Sequence, residues 1–127
     1  MTQEDKELLL KDLCARLPYG VKGNYQNSDD KLLRSITIMY RHLESDGMVM
    51  TGDIKPYLFP LSSMTKEQKK DLAEINPEFY SLICWDGDIY ISSMNVRGYD
   101  WLNKNHFDWR GLIPMGLAND ATGLNIY

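Results

Sequence analysis

The chain of 127 residues has little of what most often carries chemistry. Its only cysteines, Cys14 and Cys84, and its only histidines, His42 and His106, stand isolated from one another along the sequence. Structural zinc wants four such ligands in closely spaced pairs, so neither zinc nor any other cofactor is expected. Lysine and arginine never run longer than a pair, and 14 basic against 18 acidic side chains leave a net charge of −4. A phosphate backbone is gripped by a basic face, so nucleic acid is disfavoured as a partner. A phosphate-binding loop, a dinucleotide fingerprint and a Gly-x-Ser-x-Gly elbow are all missing. Asp86 and Asp88 flank Gly87, but the further oxygen ligands and closing glutamate of a calcium loop do not follow.

Long apolar runs are missing too. No stretch approaches the ~20 residues of a membrane span, and the polar, acidic opening Met1–Glu7 is unlike a signal or transit peptide. Both cysteines sit in apolar surroundings, which predicts buried free thiols in a cytoplasmic protein. What is present, 43% hydrophobic and 25% charged residues, is the balance of a globular chain of one domain, residues 1–127.

Thr2 can cap a first helix, with Glu4 and Asp5 at its positive end and Lys11 and Arg16 toward the other. Leu9, Leu10, Leu13, Cys14 and Leu17 recur at helical spacing as one apolar stripe, and Pro18-Tyr19-Gly20 stops it. A short strand at 21–26 runs to the turn-forming residues 27–30. Residues 33–43 alternate, with Ile36, Ile38 and Tyr40 on one face, which predicts a half-buried strand. Ser45-Asp46-Gly47 reads as a hairpin turn with 48–54 as the return strand. The prolines at 56 and 60 make 55–60 extended. Thr65 with Gln68 is a capping box for a helix at 66–75, ended by Asn76-Pro77. A second hairpin is expected at 82–92, a last helix from Val96 or Tyr99 to His106, and then a glycine-rich loop and a thin tail. Helices and hairpins segregate without βαβ alternation. The expectation is therefore α+β: a small antiparallel sheet of about four to six strands carrying an amino-terminal helix and two later ones.

The densest feature is Tyr99–Pro114, with four aromatic residues, His106 and Arg110 in one helix-sized stretch. On a helix, Leu102, His106 and Trp109 would form an inward stripe that Ile113 closes, with Asp100 or Asn95 as cap and Gly111 as stop. Three readings follow. Trp101, Phe107 and Trp109 are core; or Trp101, His106, Trp109 and Arg110 form an interaction surface, being types common at binding hot spots; or the aromatics stack on a nucleotide. In the last case Tyr57, Trp85, Tyr90 and Trp101 would line a ligand pocket, with Arg97 or Arg110 meeting a phosphate. Cys84 with His106 and an orienting Asp100 or Asp108 would suit nucleophilic catalysis. Cys84, however, falls in the apolar run Ser81–Trp85, where a small buried hydrophobe is expected, so no catalytic residue is assigned. A non-enzymatic protein binder is the leading expectation, and a nucleotide binder or weak nucleotide-acting enzyme the alternative.

Several stretches carry a resemblance: Leu13-Cys14-Ala15-Arg16-Leu17-Pro18-Tyr19-Gly20, Lys55-Pro56-Tyr57-Leu58 with Pro60-Leu61-Ser62-Ser63-Met64-Thr65, and Asp100-Trp101-Leu102-Asn103 with His106-Phe107-Asp108 and Arg110-Gly111-Leu112-Ile113 through Gly116-Leu117-Ala118. Together they resemble a family of small uncharacterised proteins found in gut Bacteroidales and their phages and prophages. The chain departs from that pattern at 76–92 and 119–127. The resemblance implies a small cytoplasmic protein encoded on a mobile element, whose partner would be a host or phage protein. It assigns no activity and no site residue.

Overall fold

The computed structural model describes residues 1–26, 35–75 and 95–127. The expected turn at 27–30, the stop signal of the 66–75 helix at Asn76-Pro77 and the hairpin at 82–92, with Cys84, Trp85 and Tyr90, lie outside them. Helix α1 (Gln3–Arg16) opens with reciprocal capping. The Thr2 hydroxyl accepts from the Asp5 N–H and the Asp5 carboxylate accepts from the Thr2 N–H, both at 3.1 Å. Pro18 sits inside a short 3-10 turn, and Gly20 closes it at φ 71, the left-handed region glycine enters freely.

Among the described residues, five strands form one mixed sheet: β1 (Lys22–Tyr25), β2 (Ser35–Thr37), β3 (Ile54–Pro60), β4 (Phe107–Asp108) and β5 (Asn119–Asp120). β1 pairs antiparallel with β2, Gly23 opposite Ile36, and with β3, Gly23 opposite Pro56. A side chain on Gly23 would have no room, since its Cβ would lie 2.8 Å from Ile54 Cγ2 and 2.9 Å from Ile38 Cδ1. β3 then pairs in parallel with β5, Tyr57 opposite Asn119, and with β4, Phe59 opposite Phe107. The α+β class is the expected one, but the sheet is mixed where an antiparallel one was expected. The carboxyl-terminal stretch supplies the parallel strands, so the tail is an integral part of the sheet.

Helices α2 (Lys66–Ile75) and α3 (Val96–Lys104) complete the described elements. Thr65 and Gln68 cap α2 reciprocally, as their spacing predicts. Asn95 caps α3 by accepting from the Gly98 N–H at 2.8 Å. Leu9 and Leu13 of α1 pack with Val21, Ile38, Val49, Ile54, Leu58 and Leu112 in one core cluster. Leu72 of α2, Leu102 of α3 and Phe107 of β4 centre a second. Each such side chain withdrawn from water contributes about 1.5–3 kcal/mol.

Two expectations fail in the middle of the chain. Of the described residues of the alternating stretch, 35–37 are strand; Ile38 is buried, but Tyr40 is exposed and begins a 3-10 turn over Tyr40–Leu43. The His42 imidazole accepts from the Met39 N–H through Nδ1 at 2.9 Å, a local bond that draws the backbone out of the ladder. No return strand follows at 48–54. The Val49 N–H instead reaches back to the His42 carbonyl at 3.1 Å, and Thr51 N–H to that of Gly47 at 3.1 Å. These turns require Gly47, whose Cβ would fall 2.4 Å from the His42 carbonyl oxygen. Val49 and Met50 enter the core from turns, with no strand to carry them.

Candidate functional site

The buried arc of α1 is turned relative to the leucine pattern. Leu9 and Leu13 are buried, but so are Asp12 and Arg16, while Leu10 is exposed. Cys14 falls almost opposite that arc and is an exposed thiol, contrary to the expectation of burial. The Asp12–Arg16 spacing looks like an ordinary solvated i,i+4 ion pair, which is why its burial is not legible in sequence. Both side chains are at 0% exposure, with Nε to Oδ2 at 2.8 Å and Nη2 to Oδ1 at 3.2 Å. Arg16 Nη2 also donates to the Phe107 carbonyl at 2.6 Å, tying α1 to β4. Asp12 Oδ1 accepts a further bond from Arg110 Nε at 3.2 Å, so one buried carboxylate faces two guanidinium groups.

The aromatic segment divides around its helix end. α3 stops at Lys104, and His106 adopts a left-handed φ of 63, so His106 and Gly111 do not belong to the helix as expected. Trp101 is half-buried and lies nearly parallel to Phe107, ring centroids 5.7 Å apart. Phe107 is fully buried. Trp109 is half-buried, its Nε1–H donating to Asn103 Oδ1 at 2.8 Å and its ring 4.5 Å from that of Tyr99. The Arg110 guanidinium stands 4.0 Å over the Trp109 ring, with 18% of its side chain exposed. Asp108 orders the loop beyond, its carboxylate accepting from the Leu112 and Ile113 N–H groups at 2.8 and 2.9 Å.

His106 is buried and roofed by Tyr127, the two rings 3.6 Å apart and 12° from parallel. The Tyr127 hydroxyl donates to the Tyr57 carbonyl at 2.7 Å and accepts from the Lys22 N–H at 2.8 Å. Lys22 Nζ donates to the Ile126 carbonyl at 3.0 Å. Burial above all, with Arg16 and Lys22 adding positive charge, lowers the His106 pKa to about 4. Burial raises the Tyr127 phenol to about 12, against the opposing Lys22 hydrogen bond and the Arg16 charge.

Of the four expected surface residues, then, Trp109 and Arg110 form one half-exposed unit, Trp101 is engaged with Phe107, and His106 is interior. Of the residues expected to form a ligand pocket, Tyr57 is buried in β3 and Arg97 is exposed on the first turn of α3, while Trp85 and Tyr90 lie outside the described residues. Among the described residues no three of His, Cys, Asp and Glu are placed to hold a metal ion, and no helix is long and apolar enough to cross a membrane. A cavity of about 280 Å³ lies elsewhere, between Lys6, Glu7 and Leu10 of α1 and the turn residues Leu43 and Met50. No family description, curated protein or solved structure matches this chain.

Proposed function

We propose that the chain is a non-enzymatic binding protein that docks another protein on the face carrying Trp109 and Arg110, with Trp101 at its margin. The observation that supports this is the fixed guanidinium–indole pair. Arg110 is held at one edge by the buried Asp12 and lies flat on Trp109, whose indole N–H is held by Asn103. Tryptophan and arginine dominate binding hot spots, and a pair already locked in place loses little side-chain freedom on docking. The resemblance to a phage- and prophage-borne family suggests a host or phage protein in the cytoplasm as the partner.

The test is quantitative pull-down from the native host with the parent, Trp109→Ala and Arg110→Ala, alongside the melting temperature of each. The same partner lost from both variants, with Arg110→Ala melting near the parent, supports the reading. Equal recovery of every partner by all three forms refutes it.

A further inference from the structure

Two buried nitrogen atoms lie without partners in one corner of the fold. Arg16 spends Nε and Nη2 on Asp12 and the Phe107 carbonyl, but its Nη1 has no partner among the described residues. His106, 9% exposed, leaves Nδ1 likewise without one. Buried polar atoms are nearly always hydrogen-bonded, and an orphan on a charged guanidinium points to a missing acceptor.

The two groups are neighbours. Arg16 Nη2 binds the carbonyl of Phe107, the residue after His106, and the charges of Arg16 and Lys22 both act on the His106 ring. Negative charge is short here, because the one carboxylate on Arg16, that of Asp12, is shared with Arg110. Asp108 has both oxygens occupied by backbone N–H groups. Among the described residues, the tail's hydrogen bonds to this corner come from neutral acceptors, the Tyr127 phenol on the Lys22 backbone N–H and the Ile126 carbonyl on Lys22 Nζ.

We propose that Arg16, Lys22 and His106 form a binding site for a small oxyanion of the phosphate class, closed in this structure by Tyr127 as a lid. Arg16 Nη1 and the Nδ1–H tautomer of His106 donate to the anion, and Lys22 Nζ exchanges the Ile126 carbonyl for it. Entry requires the Tyr127 ring to leave His106 and its hydroxyl to give up Tyr57 and Lys22. The parent therefore binds with its intrinsic affinity reduced by the small fraction of time the lid is open. The site is separate from the Trp109–Arg110 face and stands or falls independently of partner docking there.

Isothermal titration of the whole chain with inorganic phosphate, against chloride at matched ionic strength, tests this. Tyr127→Ala should bind phosphate at least tenfold more tightly than the parent. Adding His106→Asn to that variant should weaken binding at least tenfold, with circular dichroism confirming that each protein is folded. Tyr127→Phe keeps the ring and removes only the hydroxyl's bonds, so it gives a smaller gain and decides the matter should the alanine variant not fold. Phosphate affinity in Tyr127→Phe and Tyr127→Ala no greater than in the parent would overturn the proposal. So would binding that survives His106→Asn unchanged.

Discussion

Tyr127 lies flat on His106 although β4, β5 and the loops around them separate the two in sequence, and the stack leaves the imidazole dry. The ring is neutral at pH 7, because its pKa is lowered to about 4 from an unfolded value of about 6.5. The unfolded chain thus takes up a proton first as pH falls. Stability is fully present above pH ~6.5 and is lost on the way down to about 4, by on the order of 3 kcal/mol. Urea denaturation across that range should show the decline in the parent. His106→Asn, a residue that tolerates the left-handed backbone here, should flatten it. An equal slope in both proteins would assign the pH dependence to other groups.

Asp12 is the buried counter-charge of two arginines, only one of which is itself fully buried. Asp12→Ala strands Arg16 in the interior and should cost about 3–5 kcal/mol. Arg110→Ala, at the partly exposed end, should cost about 1 kcal/mol or less. Chemical denaturation of both variants distinguishes them, and similar losses would mean that Arg16 is not dependent on Asp12.

Phe107 and Trp101 stack on each other but differ in burial. Phe107→Ala should destabilise by about 3–5 kcal/mol, in line with a large core truncation. Trp101→Ala should cost less, since part of its ring already meets water. Melting curves in the reverse order would place Trp101, and not Phe107, at the centre of the second core cluster.

Gly47 sits against the carbonyl of His42, where a methyl group has no space. Gly47→Ala should therefore destabilise by about 1–3 kcal/mol, as overpacking does. An unchanged melting temperature would show that the turn can open at that point.

The amino-terminal ends of α1 and α2 are the most legible part of the chain, because capping is local: Thr2 and Thr65 need only a partner three residues on. Residues 55–60 are extended as their prolines dictate, but the same prolines conceal that this is the strand on which the whole sheet converges. At 33–43 a period of two is outweighed by one side-chain bond, His42 to Met39, that no pattern of hydrophobicity records. The burial of Asp12 and Arg16 is hidden for a related reason. Their mutual spacing is local and ordinary, whereas what makes them interior, the Phe107 carbonyl and Arg110, arrives from the far end of the chain. The Trp109–Arg110 pair was the one part of the candidate site visible beforehand, since adjacent residues carry both halves.

The parallel pairing of β3 with β4 and β5 has a consequence for how the protein is made. On the ribosome, β3 emerges able to join β1 at once, but its partners near Phe107 and Asn119 are translated well after it. Until then the backbone of Tyr57 to Pro60 has only solvent, chaperones or other nascent chains to bond with. Closure of this sheet therefore waits for strands far downstream of β3, and any delay in translating the residues between them lengthens the window in which a half-built edge is open to misassembly.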